Sequence, residues 1–129
     1  MEAIWARAPL IGRILSGIAI AFLLVDTAGK LIRVAPVLEG AVKLGYPESA
    51  VFPMGVLLLA GVVLYAIPRT SLLGAIYLTG FLGGAVATHF RVGSPLFSHI
   101  LFAVYVAVFV WGGLALRKPR LWSLLVDAR

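Results

Sequence analysis

The chain has 129 residues, 62% of them apolar and 12% charged, with a mean hydropathy of +1.08; this excludes an ordinary water-soluble domain and makes the bilayer its solvent. The formal charge of +6 does not point to nucleic acid, because the basic residues lie between and beyond apolar blocks rather than along one stripe. With no cysteine, a disulfide framework, a thiol relay and a cysteine-held iron–sulfur cluster are excluded, so redox work needs a borrowed cofactor.

The apolar blocks predict four membrane-spanning helices at about residues 10–33, 49–67, 71–90 and 98–116, each long enough to cross a hydrocarbon core of about 30 Å at about 1.5 Å per residue. The expected fold is therefore all-α: a single-domain integral membrane four-helix bundle, with a short amphipathic helix between the first two spans. Arg7 and Arg13 precede the first apolar run as in a secretory signal, but Asp26-Thr27-Ala28 is a poor cleavage site and a retained helix is expected. Pro9 suits that helix's first turn. Over residues 34–47, Val37, Leu38, Ala41, Val42 and Leu44 recur at helical spacing and Glu39 stands four residues before Lys43, which fits a helix lying on the outer leaflet. Pro53 falls about a turn inside the second span, so that helix either starts later than Ser49 or kinks there.

In the third span Ala75, Thr79, Gly83 and Ala87 form a small-xxx-small track. Gly80, Gly83 and Gly84 are expected to be structural, allowing close helix contact; a ligand groove is their other use. Phe22, Tyr77, Phe102 and Tyr105 suit either plain core or an aromatic cavity. After the fourth span, Arg117-Lys118-Pro119-Arg120 is a stop signal, and residues 121–126 are expected to rest on the inner surface.

Seven of the basic residues (Arg7, Arg13, Arg69, Arg117, Lys118, Arg120, Arg129) fall on the side of the termini, and four (Lys30, Arg33, Lys43, Arg91) on the other. By the positive-inside rule both termini are cytoplasmic. Trp5 and Trp122 would then mark the inner interface, and Tyr46, Phe90 and Phe97 the outer one.

Counted from Arg13 along an ideal helix, Asp26 lies about 20 Å away, Lys30 about 26 Å and Arg33 about 30 Å. Asp26 is thus inside the membrane and should face the bundle interior, since a lipid-facing carboxylate costs at least about 2.5–3.5 kcal/mol. Spacings of four and seven put Asp26, Lys30 and Arg33 on one stripe; a purely structural ion pair is the plain alternative. Thr88, His89 and Arg91 lie about 30 Å from Arg69, at the same boundary, and His99 opens the fourth span there. Asp26, Lys30, Thr88, His89, Arg91 and His99 are therefore the candidates for ligand binding or a proton relay, beneath a lid formed by residues 34–47. No catalytic residue is assigned. Haem ligation by His89 and His99 is disfavoured, since both sit at the bundle mouth beside the Gly93-Ser94-Pro95 turn and His89 adjoins Arg91. A zinc site completed by Asp26 has no motif spacing behind it. Neither haem nor metal is expected.

Several segments together carry a resemblance: Asp26 and Lys30 near the end of the first span, Leu44-Gly45-Tyr46-Pro47, Ile67-Pro68-Arg69-Thr70, Leu73-Gly74-Ala75, the block Leu78-Thr79-Gly80-Phe81-Leu82-Gly83-Gly84-Ala85-Val86-Ala87-Thr88-His89-Phe90-Arg91, and Trp111-Gly112-Gly113. The chain resembles the DoxX-like family of bacterial four-helix membrane proteins. The resemblance implies a multi-pass protein of the bacterial cytoplasmic (inner) membrane. The family takes its name from a subunit of a thiosulfate:quinone oxidoreductase and has relatives in membrane redox and oxidative-stress complexes. It also implies that Asp26, Lys30, His89 and Arg91 occupy the family's polar positions. The absence of cysteine speaks against direct sulfur chemistry.

The expected function is a quinone-linked accessory subunit of a membrane oxidoreductase, with quinone carbonyls held by His89 and Arg91 and with Asp26 and Lys30 tuning charge or passing protons. A non-catalytic binding protein for lipid or a small hydrophobe, or an assembly factor, is the alternative; a small transporter is the third reading. Membrane lipids and a redox-enzyme subunit are the expected partners. Whether the chain turns over a substrate, and whether it forms a homo-oligomer, stay open.

Overall fold

Proline and glycine set the limits of the helices. In the computed structural model, which describes residues 6–126, the elements are α1 (Ala8–Leu31), α2 (Ala35–Lys43), a 3₁₀ turn (Glu48–Ala50), α3 (Val51–Ala66), α4 (Ser71–Arg91), a wide turn (Leu96–Ile100), α5 (Phe102–Arg117) and α6 (Pro119–Val126). Trp5, the Trp122 side chain and Arg129 lie outside what is described. Pro9 and Pro36 stand in the first turns of α1 and α2, where a missing N–H has no intrahelical partner to lose. Pro53 is the third residue of α3, so the helix starts later than Ser49 and the proline introduces no kink.

Four segments, Ala8–Leu31, Glu48–Ala66, Ser71–Arg91 and Leu96–Arg117, are long and apolar enough to cross a membrane. Only 28–33% of each is buried, and the half-exposed surface carries Ile14, Ile18, Phe52, Leu57, Leu73 and Val108, the pattern of helices solvated by lipid. α1, α3, α4 and α5 close an up-and-down ring in which each touches its two neighbours and, among the described residues, not the helix diagonally opposite. The core runs down its axis through Leu23, Leu58, Tyr65, Leu78, Val110 and Leu114.

The buried face of α1 is Ala8, Gly12, Ser16, Ala19, Leu23 and Thr27, a stripe at spacings of three and four that is almost all small. It brings α5 into backbone contact at one end: a Cβ on Gly12 would stand 2.7 Å from the Gly113 carbonyl oxygen. At this end, which holds the first and last described residues, Tyr65 gives its proton to the Val110 carbonyl at 2.6 Å. Its hydroxyl oxygen therefore accepts from Ser16 at 2.8 Å. The α3–α4 turn is closed by Thr70 Oγ1 donating to Leu64 O at 2.7 Å and tied to the α5–α6 junction by Lys118 Nζ donating to Pro68 O at 2.6 Å. α6 packs against α5 and adds Leu121 to the core.

At the other end α1, α2 and α4 all finish in the same way. A left-handed residue (Arg33 at φ 57, Gly45 at 92, Gly93 at 73) turns the chain so that the next amide reaches back five residues, Val34 to Gly29 at 3.2 Å, Tyr46 to Ala41 at 3.0 Å and Ser94 to His89 at 3.0 Å. These are Schellman caps. The first one corrects the expectation of a three-charge stripe: α1 stops at Leu31, and Arg33 turns out of the helix to an exposed position. Glu39 and Lys43 are not paired; among the described residues the one ion pair is Asp26 with Lys30.

Candidate functional site

Beneath α2 lies a cavity of about 960 Å³, bounded by α1, α2, α3, α4, the wide turn and α5. That is at the upper end of the range for small-molecule sites. Its inner wall is apolar, with Phe22, Leu23, Met54, Phe81, Leu82 and Val106; its rim is polar, with Asp26, Lys30, Tyr46, Thr88, His89, Ser94 and His99. Five of the six residues singled out in the sequence are thus brought to one cavity. The amphipathic segment expected as a lid is one: Val37, Gly40, Ala41 and Leu44 face the cavity.

Arg91 is the exception. It is exposed and does not line the cavity, because its guanidinium donates from Nη2 to Leu44 O at 2.9 Å. The cap at Gly45 presents that carbonyl, and a Cβ on Gly45 would meet Arg91 Nη2 at 2.9 Å. Arg91 therefore latches the lid to α4 instead of holding a ligand carbonyl. Thr88 adds a second latch: its hydroxyl gives its proton to Gly84 O at 2.8 Å, so the 3.1 Å contact with Tyr46 has the tyrosine as donor.

Asp26 and Lys30 form an ion pair one helical turn apart, with side chains 34% and 17% exposed. Both face the cavity, as the depth argument requires of an intramembrane carboxylate. The pair leaves this wall electrically neutral, while Lys43 stands at the lip on the exposed side of α2.

His89 and His99 meet edge to face with ring centroids 5.8 Å apart. The cap at Gly93 folds Ser94 back so that its Oγ lies 3.1 Å from His89 Nδ1, and Ser98 Oγ lies 2.7 Å from His99 Nδ1. Among the described residues neither Nε2 has a protein partner. His99 belongs to the wide turn, where Ile100 and Leu101 reach back five residues to Pro95 and Leu96, instead of opening a regular α-helix. Among the described residues no three His, Asp or Glu side chains converge as metal ligands would.

The glycines of the expected packing track lie open within the chain. A Cβ on Gly80, Gly83 or Gly84 meets nothing within 4 Å, so these glycines do not serve close helix contact within the chain. Gly80 and Gly84 line the cavity wall. Close contact falls to Gly12, Gly55, Gly61, Gly74 and Gly113 instead. On the same track Thr79 accepts a hydrogen bond from Trp111 Nε1 at 2.7 Å. Of the four aromatic residues, Phe22 and Phe102 stack at 5.0 Å and line the cavity, whereas Tyr77 packs on Gly61 and donates to Leu57 O at 2.7 Å.

Sequence reasoning missed Tyr46 and Ser94 as members of the polar rim and Ser98 as the partner of His99. Ser94 has a local signal, since the residue after a capping glycine folds back on the helix that the glycine ends. Tyr46 has none, because its partner is 42 residues away.

No curated protein and no solved structure matches the chain. A family model does match, that of the DoxX-like family, over residues 14–113, which takes in α3, α4 and the lid and most of α1 and α5, with Asp26, Lys30, Thr88, His89, Arg91 and His99. The chain is a multi-pass helical membrane protein and belongs to the DoxX-like family.

Proposed function

We propose that the lid-end cavity binds the head of a membrane quinone, and that the protein serves as a quinone-linked accessory subunit of a membrane oxidoreductase. The observation that carries this reading is the division of the cavity into an apolar inner wall and a polar rim with two histidines. A quinone ring is flat and apolar with hydrogen-bond acceptors at two edges. In the tautomer that carries its proton on Nε2, each imidazole accepts the neighbouring serine hydroxyl at Nδ1 and offers Nε2 as a donor to such a carbonyl. The depth fits a lipophilic carrier: Asp26 marks the level of the rim, below the outer boundary counted from Arg13. Bound quinone supplies two-electron redox chemistry. The chain's own part is to bind the ring, orient its carbonyls and, through the two imidazoles and Asp26, hold protons beside them.

The phosphate of a phospholipid headgroup suits the cavity less well. Its recognition calls for an unpaired cation within the cavity, but Lys30 is neutralised by Asp26, Arg91 is held by Leu44 O, and Lys43, though unpaired, stands at the lip on the exposed side of α2. The experiment is extraction in mild detergent followed by mass spectrometry of bound small molecules. Quinone is expected with the wild-type chain and should be lost from the variant carrying His89→Ala and His99→Ala. Unchanged quinone content in that variant, or phospholipid alone in the wild type, would falsify the reading.

The excess of basic residues at the end holding the termini supports an orientation in the bacterial inner membrane with both termini cytoplasmic and the lid outside. Because the chain has no cysteine, single Ser49→Cys and Arg69→Cys variants test it directly. An impermeant maleimide added to the periplasmic side should label the first and spare the second. Pull-down from native membranes tests the partner: a co-purifying redox enzyme is expected, and recovery of the chain alone counts against the accessory role.

A further inference from the structure

We propose that the apolar groove between α1 and α5 holds the hydrocarbon tail of the ligand whose head lies in the lid-end cavity; the assignment rests on the quinone reading above. The groove is a separate hollow of about 240 Å³ with no polar surface. It shares Phe22, Phe102 and Val106 with the cavity, so the T-shaped Phe22–Phe102 pair is a common wall between the two. Ile18, Tyr105 and Phe109 continue the groove away from the cavity. The Tyr105 hydroxyl is turned from it by a bond to Phe97 O at 3.2 Å.

The groove exists because α1 and α5 are packed by different residues along their length. Near Gly12 and Gly113 the backbones touch, and no crevice can open. Near Phe22 and Phe102, the two rings meet edge to face with centroids 5.0 Å apart and line both hollows. Ile18, Phe22, Phe102 and Tyr105 are each 40–50% exposed, so the groove faces lipid as well as the cavity. Its direction is also fixed. Ile18 lies about 12 Å along α1 from Asp26, towards the bilayer centre. A chain leaving the cavity there runs into hydrocarbon and never crosses the polar rim. Ligand exchange then takes place sideways through the α1–α5 crevice, while the lid latches at Arg91 and Tyr46 stay closed.

The test compares two probes on the full chain in lipid nanodiscs, a decyl-substituted benzoquinone and the same ring without the chain. Wild-type protein should bind the decyl compound at least about tenfold more tightly, since several methylenes leave water or loose lipid for a fitted groove. Ile18→Trp, a bulky change at a lipid-facing position, should erase that preference and leave the affinity for the bare ring unchanged. A second measurement needs no variant: a benzoquinone carrying a diazirine at its chain end, photolysed on wild-type protein, should label residues 18–22 and 102–109. A tail preference untouched by Ile18→Trp, or labelling confined to α3 and α4, overturns the groove and leaves the quinone reading standing. Failure of the bare ring to bind wild-type protein overturns the quinone reading, and the groove assignment with it.

Discussion

The two ends of the bundle are built from similar residue types to opposite effect. At the end holding the termini, glycine removes side chains between helices: Gly12 and Gly113 bring α1 and α5 into contact, and the buried hydroxyls of Ser16 and Tyr65 are satisfied by each other and by Val110 O. Arg117 lies 5.7 Å from the Tyr65 ring centroid, an attractive cation–π distance. At the lid end Gly55 still packs against Lys30 and Leu31 of α1, but on α4 glycine removes side chains where no helix comes to fill the space. Gly80 and Gly84 face the cavity, and the polar groups there bond to turn residues and the lid. A glycine-rich helix face therefore says that space has been made, and only the neighbouring helix decides whether it is filled.

The largest expected effect separates the two kinds of glycine. Gly12→Leu should destabilise the bundle by about 3 kcal/mol or more, because the clash is with backbone, while Gly83→Leu should change stability by no more than about 0.5 kcal/mol. Denaturant titration in mixed micelles checks both, and equal losses would erase the distinction between the ends. Next in size is Tyr65→Phe, which leaves Val110 O and the Ser16 hydroxyl without their partner in the core. A loss of about 1–3 kcal/mol is expected in the same titration.

Asp26→Asn should cost less, about 1 kcal/mol, because the ion pair is partly exposed to the cavity. It should also leave Lys30 as an uncompensated cation. Anionic phospholipid is then expected in native mass spectra of the variant and not of the wild type, and its absence from the variant would show that Lys30 does not face the ligand space. Arg91→Met should scarcely alter global stability but raise amide exchange over residues 35–46 several-fold, by loss of about 1 kcal/mol of lid closure. Exchange that stays at the wild-type level would show that the latch is idle. The smallest effect sharpens the account of the caps: Arg33→Gly should stabilise the protein by about 0.5–1 kcal/mol, since the left-handed conformation is costly for arginine and free for glycine.

Much of this architecture was legible in the chain itself. Apolar blocks of spanning length, punctuated by Pro9, Pro68 and Pro95, predicted four membrane-spanning helices, the number and kind that the structure has, because hydrophobic length in a bilayer is a one-dimensional property; the regular part of the fourth begins later than expected, at Phe102. The depth of Asp26 and the convergence of Lys30, Thr88, His89 and His99 followed from the same arithmetic, since antiparallel helices of equal length bring equal depths together. Arg33 and Arg91 were misplaced because each sits where a helix ends. The left-handed turn at residue 33 carries the first off its stripe, and the cap at Gly45 gives the second a carbonyl to hold. The glycine block was read as a packing surface because sequence spacing shows where side chains are missing and not what stands opposite.

By itself, then, the sequence determined the solvent, the number and length of the spans and the level at which the polar residues lie, all of which depend on distance along one helix. Only the tertiary structure decided that the lid closes over them, that Gly80 and Gly84 of α4 face a cavity, and that Phe22 and Phe102 meet beside a groove between α1 and α5. Those outcomes depend on which side chains face one another across the ring, and distance along a helix does not encode that.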